Sequence, residues 1–210
     1  MTDITRENIL IVFVKYPEAG KVKTRIARHF GPQRAAEMYS RMAKSVIENV
    51  SRQDTYGTVI YFDPPEREKE VMDWIGTGDV PYEPQSGGTI GDRMSDAFER
   101  VFLSGAEKAV LIGTDVPDIN GGTVTAAFNL LQETDVVIGP ASDGGYYLLG
   151  LKNPEPSLFS CIEWGTPVVF EQTLDRIKKN DLRYKQLDTL KDVDTVDDVS
   201  PELLTRLWTQ

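Results

Sequence analysis

The sequence holds a single cysteine, Cys161, and a single histidine, His29. One cysteine excludes an internal disulfide, and the pair leaves no basis for a zinc site of thiolates and imidazoles. Any bound metal would therefore take oxygen ligands, which suits Mg²⁺ or Mn²⁺. Cys161 and His29 read as packing or surface residues. Long apolar runs are missing too. ILIVFV, the clearest one near the start, is far short of the roughly 20 residues that span a bilayer. It is also too short, and too acidic in its flanks, for a secretory signal. The expectation is a cytoplasmic protein with no membrane partner. No internal repeat or low-complexity segment is visible.

Positive charge is scarce: 23 Lys and Arg stand against 33 Asp and Glu, a net charge of −10. That balance disfavours nucleic acid, whose phosphate backbone requires a broad basic face. Yet VKYPEAGKVKTRIAR (14–28) gathers Lys15, Lys21, Lys23, Arg25 and Arg28 against the lone acid Glu18. Like charges held this close need solvent or an anion to screen them. A basic loop in an acidic protein suggests a small anionic ligand.

What is present reads as one α/β domain over residues 1–210. The chain is 40% hydrophobic and 27% charged, ordinary for a globular protein with a sizeable core. Short apolar runs alternate with amphipathic stretches, the pattern of βαβ units around a mostly parallel sheet flanked by helices. Strands are expected at 8–14, 58–63, 108–115, 135–141 and 145–151, with a short one near Tyr184. Helices are expected at 32–50, 67–75, 90–105, 124–133, about 168–179 and 201–208.

In such a sheet ligands bind outside the carboxyl ends of the strands, and four loops there are chemically unusual. The basic loop follows the first strand. It is neither a Walker A loop, since Val22 stands where Ser or Thr is required, nor a G-x-G-x-x-G turn. It presents Lys15, Lys23, Thr24 and Arg25, which suit phosphate oxygens; a solvated basic turn is the plainer alternative. In IGTDVPDI (112–119), Asp115 ends a buried strand and can bind a cation or cap a turn. In GPASDGGYYLLGL (139–151), Asp143, Gly144 and Gly145 form either a ligand-hugging turn or an ordinary hairpin. The tail LDTLKDVDTVDDVS (187–200) is acidic. Val193, Val196 and Val199 argue against a free acidic tail, alternation puts Asp192 and Asp194 on one face if the segment is extended, and Asp197 or Asp198 is expected to cap the last helix. A cationic loop and a set of carboxylates contact one anion only if a cation stands between. Mg²⁺ on Asp115 and the tail acids, bridging to a nucleotide phosphate chain, satisfies that.

K-Y-P-E-A-G-K-V-K-T-R (15–25), G-D-R-M (91–94), I-G-T-D-V-P (112–117), G-P-A-S-D-G-G-Y-Y-L-L-G-L (139–151), W-G-T (164–166) and D-V-D-T-V-D-D (192–198) occur in that order. With these motifs the sequence resembles the bacterial and archaeal "transferase 1" family, the radical-SAM/selenodomain-associated transferases. The resemblance implies a GT-A fold within the nucleotide-diphospho-sugar transferase superfamily. GGTIGDRM (87–94) departs from the family, which more often has an acidic residue before Leu-Gly. The K-T-R loop and the D-V-D-T tail are also similar to those of 2-phospholactate guanylyltransferases. There the loop serves the triphosphate and the tail aspartates bind metal, which carries over to Asp192 and Asp194 beside Asp115.

The resulting expectation is nucleotidyl transfer from a nucleoside triphosphate, with Mg²⁺ or Mn²⁺, to a small phosphorylated or acidic acceptor. Lys15, Lys23, Thr24 and Arg25 hold phosphates, with Lys23 and Arg25 stabilising the departing pyrophosphate. Gly91 and Arg93 lie near the base or ribose. Gly144, Gly145, Tyr146 and Trp164 shape the acceptor side, and Asp143 orients the nucleophile. Two alternatives stand beside it: glycosyl transfer from a nucleotide sugar, and a nucleotide sensor without catalysis.

Overall fold

Alternate residues of the first strand, β1 (Asn8–Lys15), enter two different cores. Leu10, Val12 and Val14 face one side of the sheet; Ile9, Ile11 and Phe13 face the other. A strand covered on both faces reads as a continuous apolar run, which is why ILIVFV shows no polar alternation. The computed structural model describes residues 7–51, 53–76, 78 and 80–208.

The other strands are β2 (Gly57–Asp63), β3 (Tyr82–Pro84), β4 (Lys108–Ile112), β5 (Val136–Pro140), β6 (Tyr146–Leu151) and β7 (Tyr184–Gln186). The helices are α1 (Thr24–Phe30), α2 (Pro32–Ser51), α3 (Glu68–Ile75), α4 (Ile90–Leu103), α5 (Gly121–Leu130), α6 (Val169–Lys179) and α7 (Pro201–Trp208). The seven strands form one sheet in the order β3-β2-β1-β4-β6-β5-β7, parallel except for β6. Residues of α2, α3, α5 and α7 join the first core, including Met42, Val71, Phe128 and Leu203. Phe98 of α4 and Ile177 of α6 join the second. The α/β architecture expected from the sequence is therefore present.

Two boundaries differ from the sequence expectation. β4 stops at Ile112 rather than running to 115. α5 starts three residues earlier than periodicity suggests, because Asn120 accepts from the N–H groups of Gly122 and Thr123. α1 and the short β3 carry too few apolar positions to stand out in the sequence. The D-G-G turn is a hairpin after all. Residues 141–145 join β5 to β6, and so short a link forces an antiparallel pair.

The expected cap of the last helix is corrected. Asp198 accepts from the Thr195 N–H and hydroxyl at 2.8 and 2.7 Å, closing the 3₁₀ turn Val196–Asp198. Ser200 caps α7 instead, through Leu203 N–H at 3.1 Å. Among the described residues, no helix is long and apolar enough to cross a membrane.

Candidate active site

The carboxyl ends of β1, β2, β4 and β5 open on one edge of the sheet, and the acidic tail crosses that edge. Ser142 N–H donates to Leu190 carbonyl and Val193 N–H to Asp115 carbonyl, each at 3.0 Å. Val193 is buried in the core, so its flanking aspartates are turned toward the loops. Asp192 and Asp194 meet Asp143 there, with ligand oxygens within 4.8 Å of one another. Ser142 Oγ donates to Asp192 Oδ1 at 3.0 Å. Partial burial first, then the neighbouring Asp192 and Asp194, hold the Asp143 carboxyl above its ordinary range. The β5–β6 turn thus brings Asp143 to the tail pair, where the sequence had suggested Asp115.

Asp115 is engaged elsewhere. Lys23 Nζ lies 2.5 Å from Asp115 Oδ1 and 2.8 Å from Asp194 Oδ1, and the lysine side chain is only 4% exposed. Burial opposes the ammonium charge, but the two carboxylates outweigh it and raise the lysine above its ordinary range. The Lys23 side chain is therefore buried rather than exposed in its loop, although it lines the same cleft as Lys15 and Arg25. Its backbone is left-handed, with φ 45° and ψ 46°, immediately before α1. Lys15, Lys21, Thr24 and Arg25 remain exposed. Arg25 reaches Asp194 only at 3.9 Å.

A cleft of about 240 Å³ lies among Lys15, Lys21, Arg25, Asp115 and Asp194. A second, of about 310 Å³, shares Lys15 and Asp115 and continues to Asp63, Arg93 and Tyr146. Arg93 pairs with Asp63 at 3.1 Å and donates to Gln85 Oε1 at 3.4 Å. The buried Gln85 amide in turn donates to the carbonyls of Val14 and Tyr61 at 3.3 and 3.0 Å, so the ends of β1 and β2 hold the arginine in place. Gly91 sits under Trp164, whose ring meets Tyr146 edge-on at 6.4 Å. Gly144, with φ 89°, packs against Pro167. Gly145 N–H donates to Asp143 Oδ1 at 2.8 Å.

The family profile described as "Uncharacterized protein conserved in bacteria (DUF2064)" matches residues 46–166. The chain belongs to this family. The matched stretch contains Gly91, Arg93, Asp115, Asp143 and Trp164; the basic loop and the tail aspartates lie outside it. No curated protein sequence matches. Among solved structures, a Desulfovibrio desulfuricans G20 protein provisionally described as a nucleotide-diphospho-sugar transferase is 35% identical. That match covers 91% of this chain and 84% of the other, with a TM-score of 0.87. The CMP:2-keto-3-deoxy-manno-octonic acid synthetase, solved with CTP, is 11% identical over 98% of this chain and 100% of its own, with a TM-score of 0.61. Rv0371C of Mycobacterium tuberculosis H37Rv, solved with manganese, is 12% identical over 98% and 100%, with a TM-score of 0.50. These distant likenesses place this DUF2064 protein in the fold shared by nucleotidyltransferases and nucleotide-diphospho-sugar transferases.

Four side chains of the site escaped the sequence reading. Asp63 ends a buried strand and follows the rule that singled out Asp115, so it could have been found. Gln85 and Ser142 carry no local signal. Tyr39 reads as core on the apolar face of α2. Its hydroxyl accepts from Lys15 N–H at 2.9 Å and lies 3.3 Å from Thr114 Oγ1, tying the ends of β1 and β4 together.

Proposed function

We propose that this DUF2064 protein transfers a nucleotidyl group from a nucleoside triphosphate to a small phosphorylated or acidic acceptor. The observation that carries the reading is one cleft lined both by the exposed cations Lys15, Lys21 and Arg25 and by the carboxylates of Asp115 and the tail residue Asp194. The exposed cations suit phosphate oxygens, and the carboxylates repel them unless a cation intervenes.

Asp143, Asp192 and Asp194 offer three carboxylate oxygens within 4.8 Å and no softer donor, which fits a hard cation such as Mg²⁺ or Mn²⁺. When bound, the ion supplies charge neutralisation to the phosphate chain. Lys15, Thr24 and Arg25 grip the phosphates, and the arginine fork stabilises the charge that collects on departing pyrophosphate. Arg93, fixed by Asp63 and Gln85, and Gly91 lie on the base and ribose side. Tyr146, Trp164, Gly144 and Gly145 shape the acceptor side. No covalent intermediate is required, because holding donor and acceptor in line accounts for such chemistry. Glycosyl transfer is the second reading, favoured by the description of the 35% identical relative.

Calorimetric titration with nucleoside triphosphates and nucleotide sugars, each with and without Mg²⁺, separates the two. Metal-dependent binding led by a triphosphate is the expected result and names the base. Tighter binding of a nucleotide sugar turns the assignment to glycosyl transfer. Binding of neither kind sinks both.

A further inference from the structure

Lys23 departs from its loop in three ways. Lys15, Lys21 and Arg25 are exposed, whereas the Lys23 side chain is 4% exposed. Its ammonium contacts two carboxylates at 2.5 and 2.8 Å, one from the β4 loop and one from the tail. Its backbone adopts φ 45°, a left-handed conformation unfavourable for a residue with a side chain. Such a backbone persists where its surroundings hold it. Here it accompanies a side chain turned into the carboxylates.

We infer that the Lys23 ammonium fills a second cation position between Asp115 and Asp194, so that the carboxylate cluster takes one divalent ion and not two. This rests on the metal reading proposed above. Asp194 is the shared group: it faces Lys23 on one side and belongs with Asp143 and Asp192 on the other. A carboxylate shared between two cations is the arrangement of two-metal sites, whose ions stand about 3.5–4 Å apart. A tethered ammonium at the second position neutralises Asp115 without recruiting an ion from solution. Two of the three N–H donors of the Lys23 ammonium are committed to these carboxylates. Lys23 is thus a positioning residue.

The test is a Mn²⁺ titration of the full chain, followed by the paramagnetic resonance signal of the free aquo ion. Wild type is expected to bind one Mn²⁺ and Lys23→Ala two. Lys23→Met, which fills the space without charge, is expected to bind one. Two ions in wild type, or one in a folded Lys23→Ala, overturn the inference alone. No uptake by wild type or Lys23→Ala sinks the metal reading and this inference with it. Should Lys23→Ala not fold, Asp115→Asn decides. It is expected to change Mn²⁺ affinity by less than about threefold, against the roughly 10–100-fold loss that follows damage to a metal's ligand environment. A loss of that larger size in Asp115→Asn overturns the inference.

Discussion

The indole of Trp164 rests on Gly91: a methyl group added to Gly91 would stand 2.5 Å from the indole nitrogen. The W-G-T loop and the start of α4, distant in sequence, are therefore packed against each other. Gly91→Ala should displace the ring and destabilise the protein by about 1–3 kcal/mol, the range for overpacking. In a Trp164→Ala background the clash is gone. The same substitution should then be neutral or stabilising, since alanine exceeds glycine in a helix by about 1 kcal/mol. Denaturant unfolding of the four proteins in this cycle checks it, and equal costs in both backgrounds would refute the contact.

Gly144 is irreplaceable for two separate reasons. Its φ of 89° is one that side-chain-bearing residues rarely adopt, and a Cβ there would collide with the Pro167 carbonyl oxygen, which is backbone and cannot step aside. Gly144→Ala should cost about 2–4 kcal/mol. Because the turn carries Asp143, Mn²⁺ affinity should fall as well. Thermal unfolding together with metal titration measures both, and Gly165→Ala, with open space around it, is the control for φ alone.

Asp198 sets the acid sensitivity of the tail. Burial opposes its charge, but hydrogen bonds from Thr195, Lys191 and the Asp194 backbone hold it down at about 2. A depressed carboxylate contributes stability that is fully present above its unfolded value, about 3.9, and disappears as pH falls through about 2. Asp198→Asn should cost about 1–2 kcal/mol at pH 7. Urea unfolding of both proteins from pH 7 to 2 should show that gap closing between about pH 4 and 2. A gap that stays constant would mean the carboxylate charge plays no part.

Lys23 gives the opposite sign. Its pKa is raised, so its contribution is fully present below the ordinary lysine value and is lost as pH climbs through the higher folded one. Lys23→Met should cost about 1–2 kcal/mol near pH 7, discounted because Asp115 and Asp194 are 54% and 38% exposed. Unfolding measured up to pH 11 should show the difference persisting past about 10.4, where an ordinary lysine discharges. No difference at neutral pH would show that the pair is energetically idle.

The sequence alone determined the α/β layering, because burial on both faces makes β1 and β4 unbroken apolar runs and leaves helices a 3.6-residue period. It also placed chemistry at strand ends, since polar residues directly after a buried strand have few other reasons to be there. Only the tertiary structure decided which acids meet. Asp143 and the tail aspartates come together because residues 141–145 form a tight hairpin link and Leu190 bridges to Ala141 across it. No local period records that pairing. It also decided that Lys23, one cation among five in its loop, turns inward. A single left-handed residue separates an exposed basic side chain from a buried one, and that choice is made by the two carboxylates waiting for it, 92 and 171 positions away along the chain.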